Sequence, residues 1–152
     1  MRFCQVNEVL DWVVSFHELL SEEYNRLSDE ATKERVSLLL NYLAEHQRML
    51  ASTIEKFEID AADAFLNMWS QDCPPLELPA SLEELHVTLS GKETIDIVNE
   101  AIKFHDEVIR VYRELEGAAE TDSVREIFAN LASLEKNEQM RMVRDAQYLN
   151  DV

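Results

Sequence analysis

The stretch FHELLSEEY at residues 16–24 returns as FHDEVIRVY at residues 104–112, and the rest of the chain is arranged around this repeat. The histidine and the tyrosine of each copy are both 88 residues from their counterparts, so the two copies keep one register. In each copy the histidine belongs to a row of mostly apolar residues three or four positions apart, which places the row on one helix face. The first row is Val13, His17, Leu20, Tyr24 and Leu27, and the second is Val98, Ala101, His105, Val108, Tyr112 and Leu115. The sequence therefore predicts that His17 and His105 face the core.

The composition indicates long helices in a single domain. With 152 residues, the chain has the usual length of one domain, here residues 1–152. Only two glycines and three prolines interrupt it, which favours long helices. The formal net charge of −17 repels the phosphates of nucleic acids and anionic membrane surfaces, so neither is expected as a partner.

The cysteines and the amino-terminal segment indicate the cellular compartment in which the protein is expected. Cys4 and Cys73 are far apart, have no metal-ligand spacing and are too few for a disulfide framework. Glu8 and Asp11 interrupt the apolar segment that a secretory signal would need, and no later stretch is apolar over the length of a membrane helix. We therefore expect an acidic protein of the reducing cytoplasm.

Four long helices are predicted, in two hairpins. Short polar turns separate the first helix from the second and the third from the fourth, so each pair is expected to lie antiparallel. The predicted helices are about 8–28, 33–58, 94–118 and 123–149, with a crossover at 59–92. The predicted fold class is all-α: a four-helix bundle of two antiparallel hairpins joined by a long crossover that contains short helices.

The crossover is expected to pack on the bundle. It contains Phe65 and Trp69, whose combined apolar area is too large to leave in water. The predicted contact is the outer face of the first helix, formed by Trp12, Phe16 and Leu19. The crossover would then be part of the domain and not a linker between domains.

The second and fourth helices add polar residues to the core. His46 lies on the apolar row of the second helix. Residues 41–50 align with residues 130–139 without a gap, which places His46 opposite Glu135. Glu138 is a second carboxylate on the inward row of the fourth helix. Three histidines and two carboxylates are thus predicted to converge from four helices.

This arrangement resembles the ferritin-like family, in particular its rubrerythrin-type branch. The resemblance rests on the two hairpins, the long crossover, and a tyrosine seven residues beyond an inward polar residue in the first and third helices. It implies a site for two irons, with one Glu from each of these helices and a Glu-x-x-His from each of the other two. At the family's Glu positions stand His17, His46, His105 and Glu135, and at its two His positions stand Met49 and Glu138.

Only one of these positions keeps the family's residue type. Bridging carboxylates hold two irons together, whereas an imidazole binds a single metal through one lone pair. A di-iron oxidase, peroxidase or ferroxidase is therefore not expected. The resemblance and the residue types predict one divalent metal ion, with Zn, Fe, Cu, Ni and Mn all acceptable to the donors. The predicted ligands are His17, His46, His105, Glu135 and Glu138.

A second interpretation stays open beside this one. The same side chains would form a buried His and Glu hydrogen-bond cluster in place of a lost metal site. Two functions follow, a metal-binding ferritin-like protein or a metal-free bundle that binds another protein. In either case the chain is expected to be a dimer or a monomer and not a cage. No phosphate loop or nucleophile elbow is present, so no catalytic residue is predicted. Other residues are assigned by position alone: Glu23 and His86 to the surface, and Met49, Met140 and Met142 to the core.

Overall fold

Four long helices in two hairpins dominate the computed structural model, which describes residues 4–61, 63–70, 73 and 82–150. The helices are α1 (Val6–Glu30), α2 (Glu34–Asp60), α3 (Asp63–Leu66), α4 (Leu82–Leu89), α5 (Thr94–Ala118) and α6 (Asp122–Asn150). A two-residue ribbon of β1 (Cys4–Gln5) and β2 (Trp69–Ser70) is the remaining regular structure among these residues. The predicted all-α bundle of two hairpins with short helices in the crossover is confirmed.

Polar side chains fix the turns of the two hairpins. At the first turn, the Ser28 hydroxyl donates to the backbone oxygen of Ser37 at 3.0 Å. At the start of α6, the Thr121 hydroxyl accepts the backbone N–H of Val124 at 3.3 Å. Such a cap stabilises a helix start by about 1 kcal/mol. The extensive α1–α2 and α5–α6 contacts make each hairpin a packed unit.

The predicted rows form the core. Every residue of the α1 row is buried, and so is every residue of the α5 row except Val98, which is partly buried. Phe16 meets Phe104 edge to face, with 5.7 Å between ring centroids, and this contact joins the two hairpins beside the histidines. Within the described residues, no helix is both long and apolar enough to span a membrane.

The crossover packs on the bundle at two places. Helix α4 lies against α1 and buries Leu85 and Leu89 completely. Phe65 of α3 is also buried, with the rings of Phe57 and Phe128 as aromatic neighbours, and α3 contacts α1 as well. Trp12 on that face is half-buried. The predicted contact of Trp69 concerns a side chain outside the described residues.

The two cysteines form a disulfide, contrary to the expectation of unpaired thiols. Cys4 and Cys73 have Cα atoms 5.7 Å apart and are bonded through sulfur. The ribbon pairs Cys4 with Ser70, so the part of the crossover three residues before Cys73 is already held against the start of α1. Their separation of 69 residues gave no hint of this, because only the path of the crossover brings them together. Because the two cysteines are paired, they do not support the expectation of a reducing compartment.

The prediction for the methionines is wrong in two cases. Met142 is fully buried, but Met49 and Met140 are exposed by 59% and 61%. Met49 follows buried Gln47 by two positions, and a helix turns by about 200° over two residues. Both methionines therefore point away from the inward row of their helix.

Candidate functional site

Four buried side chains, one from each long helix, form a closed hydrogen-bonded ring. His17 contacts the Glu135 carboxylate through Nε2 at 2.6 Å and the Gln47 oxygen through Nδ1. His105 contacts the other Glu135 oxygen through Nδ1 at 3.0 Å and the Gln47 nitrogen through Nε2 at 3.4 Å. We call these four residues the central ring. Each side chain is at least 95% buried, so water does not compete for these bonds.

The chemistry of the amide fixes the protons of the central ring. An amide oxygen only accepts and an amide nitrogen only donates, while an ionised carboxylate only accepts. His17 must therefore donate from both ring nitrogens, to Gln47 and to Glu135. His105 donates to Glu135 from Nδ1 and accepts from Gln47 at Nε2. This arrangement makes His17 an imidazolium and leaves His105 neutral, with every ring bond satisfied.

The electrostatics of the buried pair agree with this proton assignment. Burial alone would lower the pKa of His17, but the charge of Glu135 and the hydrogen bonds from Glu135 and Gln47 outweigh it and raise the pKa above 6.5. Burial would likewise raise the pKa of Glu135, yet His17 and His105 hold it at about 2. The central ring therefore contains one positive and one negative charge and is neutral overall.

His46 and Glu138 form a separate pair beside the central ring. His46 Nε2 lies 3.0 Å from Glu138 Oε2, and its imidazole is 5.6 Å from that of His105 between centroids. Burial lowers the pKa of His46, while the hydrogen bond and the charge of Glu138 act in the opposite direction. Tyr42 stacks on the imidazole of His46 and donates to Asp145 at 2.9 Å. Of the five predicted ligands, three thus lie in the central ring and two adjoin it.

Gln47 is the member of the central ring that sequence reasoning missed. The alignment of residues 41–50 with 130–139 shifts the repeat by one position and pairs His46 with Glu135. The structure instead keeps the offset of 88 through the second helix of each hairpin, so Gln47 is the counterpart of Glu135. Extending the offset found for the histidines would have identified it.

A second buried carboxylate lies under helix α4. Glu23 was predicted to be exposed, but it is fully buried and accepts from His86 Nδ1 at 2.9 Å. His86 is part-buried, and Arg26 approaches the other Glu23 oxygen at 3.7 Å. Glu23 is adjacent to the core residue Tyr24 on α1 and faces the crossover, which the pattern of the α1 row alone does not reveal. This contact fastens α4 to α1.

The fold is shared with a solved structure. No protein-family model and no curated protein matches the chain. The chain is similar to a Thermotoga maritima protein assigned to the ferritin-like diiron-carboxylate class, with a TM-score of 0.66 and 15% sequence identity. The match covers 97% of this chain and 97% of that chain. The ferritin-like fold is therefore confirmed, and the rubrerythrin-type branch remains a prediction.

The side chains do not fit the di-iron centre that this fold implies. The central ring offers a single carboxylate, Glu135, and both of its oxygens are bonded to imidazoles. Both nitrogens of His17 and of His105 are likewise engaged, so no lone pairs converge on one point. Among residues 4–61, 63–70, 73 and 82–150, no three His, Cys, Asp or Glu side chains are grouped to hold a metal ion.

Proposed function

We propose that this ferritin-like bundle carries a proton-sharing ring in place of a metal centre and acts as a protein-interaction module. The closed central ring is the observation that supports a centre without metal. Its four side chains hydrogen-bond to one another and include one cation and one anion. The buried charge is therefore balanced without a metal ion. A metal ion bound by the central ring would have to displace hydrogen bonds that these side chains make to one another.

Metal analysis of the purified protein tests this part. The chain would be produced in medium supplied with Zn, Fe, Cu, Mn and Ni and its metal content measured per chain. We expect less than stoichiometric metal and a melting temperature that a chelator leaves unchanged. One tightly held ion per chain, with a chelator-induced fall in melting temperature, would overturn the proposal.

An exposed apolar surface supports the interaction part. Leu38, Ile95 and Tyr148 are exposed by 50%, 68% and 76%, which is unusual for three large apolar side chains near one another. They border two adjoining grooves between α2, α5 and α6 that share Leu149. The larger groove has a volume of about 340 Å³ and includes Val98. We call Leu38, Ile95, Val98, Tyr148 and Leu149 the apolar surface.

We infer that a second copy of the chain covers the apolar surface. Charge complementarity is the argument, because Asp145 lines the smaller groove and pairs with the neighbouring Arg144, and a two-fold contact can set each against the other copy's opposite charge. The net charge of −17 on each copy opposes the contact at low salt. Dimer formation should therefore strengthen as salt screens this repulsion.

Light scattering at rising protein and salt concentration tests the dimer. We expect a monomer–dimer equilibrium that moves toward dimer with salt, and a monomer under all conditions for Ile95→Glu. Val87→Glu, a change at a still more exposed position on α4, serves as the control and should dimerise like the parent. A parent chain that stays monomeric at high salt excludes the second copy as occupant.

A second candidate function is the binding of one divalent metal ion by His17, His46, His105, Glu135 and Glu138. One observation favours it: the third imidazole, His46, lies against the central ring, and its buried Nδ1 has no hydrogen-bond partner within the described residues. Binding would require the central ring to open. The metal analysis above separates this candidate from the first, because stoichiometric metal supports it directly.

A further inference from the structure

The central ring has an approximate two-fold symmetry with one chemical exception. His17 and His105 are 88 residues apart, and so are Gln47 and Glu135. In each hairpin, the histidine Nδ1 bonds the residue thirty positions later, and its Nε2 bonds the corresponding residue of the other hairpin. The exception is that an amide stands at one of the two equivalent positions and a carboxylate at the other.

This exception decides which charges the central ring can hold. The amide of Gln47 supplies one acceptor to His17 and one donor to His105, so a single extra proton closes the ring. A carboxylate in its place would only accept, and closing the ring would then require both imidazoles to be cations. With neutral imidazoles, two carboxylates carry a charge of −2, which a divalent metal ion cancels.

We infer that Gln47 is the residue that makes this centre select protons over a divalent metal ion. The inference rests on the proposed metal-free state and names the side chain responsible for it. Gln47 is a positioning residue that orients both imidazoles. Because its amide is uncharged, the site has no second negative charge. The rings of His17 and His105 lie 6.2 Å apart between centroids, so both imidazoles are near enough to ligate one ion once a second carboxylate replaces the amide.

Metal titration of Gln47→Glu tests the inference. The probes are Zn²⁺ by calorimetry and Co²⁺ by its visible absorption, which reports nitrogen and oxygen ligation. We expect the variant to bind about one ion per chain, at least about 100-fold more tightly than the parent, since even outer contacts of a metal site change affinity by about 10- to 100-fold. Added metal should also raise the variant's melting temperature.

Gln47→Leu is the matched control. It removes the amide without adding a carboxylate, so it should bind metal no better than the parent. Stoichiometric metal in the parent would defeat the proposed metal-free state itself. A parent without metal, together with a folded Gln47→Glu variant that also binds none, would defeat only the role of Gln47.

A charge-swapped variant keeps the inference testable if Gln47→Glu does not fold. Combining Gln47→Glu with Glu135→Gln moves the carboxylate to the equivalent position and preserves one amide and one anion. The two-fold symmetry predicts that the doubly protonated imidazole moves from His17 to His105, which ¹⁵N spectra of the histidine rings resolve. A merely structural Gln47 would leave this assignment unchanged, and that outcome would overturn the inference.

Discussion

Glu135 carries a charge that the molecule has removed from water entirely. Its two oxygens contact His17 and His105, and the cationic His17 is its only full charge partner in the central ring. Breaking such a buried pair on one side costs more than the pair itself contributes, because an isolated buried ion remains. The contribution of this ion pair to stability therefore depends on pH.

Glu135→Gln should destabilise the protein by roughly 3 kcal/mol at pH 6. The pair stabilises fully above the ordinary carboxyl pKa of 4.5 and below the ordinary histidine pKa of 6.5. Its contribution falls as pH rises through the raised pKa of His17, and as pH falls toward about 2. The difference between parent and variant should thus shrink at alkaline pH, as urea unfolding at several pH values would measure.

Glu138→Gln is the control for this prediction, since it changes a carboxylate that also contacts an imidazole but is only partly buried. We expect a smaller loss for it and no change in the ring spectrum of His17. If Glu135→Gln were as stable as the parent at pH 6, the assignment of an ion pair to the central ring would be wrong.

At this scale, the sequence predicts which residues point inward better than which residues bond to one another. His17, His105 and Glu135 were found because helical spacing fixes the face of a residue. Gln47 was missed because a one-residue shift of the repeat alters the pairing while preserving an apolar row. The burial of Glu23 depends on α4, whose position the α1 row does not contain.

Helix α4 illustrates how an element is held by both apolar and polar contacts. Leu85 and Leu89 are buried against the bundle, and His86 between them reaches the fully buried Glu23 of α1. A helix of only eight residues would not be stable alone. The packing on α1 therefore stabilises α4, and the Glu23 contact fixes its position.

His86→Ala should destabilise the protein by roughly 1 to 3 kcal/mol, because it leaves a buried Glu23 oxygen without its donor. The loss should appear locally, as faster hydrogen exchange at the backbone amides of α4. Val87→Ala, a change at an exposed position of the same helix, should have little effect. The same His86 change in a Glu23→Leu background should cost much less, since no buried carboxylate then remains. Equal costs in both backgrounds would show that Glu23 and His86 are not coupled.

For the whole molecule, the fold was predictable, but the disulfide and the ribbon that join the segment before α1 to the crossover were not. Few glycines, two copies of one helical row and two short turns lead to a bundle of two hairpins, because each row must be buried against another. The repeat also predicted where the polar centre lies. The disulfide and the ribbon depend on contacts between the amino terminus and the distant crossover, which no periodicity records.

The disulfide should therefore contribute measurably to the stability of the whole domain. It closes a loop with a sequence separation of 69 residues, and in the chain-entropy model a loop of this length stabilises by about 4 kcal/mol. Measured values are often lower, so reduction should cost about 2 to 4 kcal/mol and lower the melting temperature by roughly 4 to 16 °C. Thermal denaturation with and without reductant would measure this shift. The double variant Cys4→Ser with Cys73→Ser should melt at the temperature of the reduced parent and respond to no reductant. Free thiols in the oxidised parent, or a melting temperature indifferent to reductant, would contradict the bond.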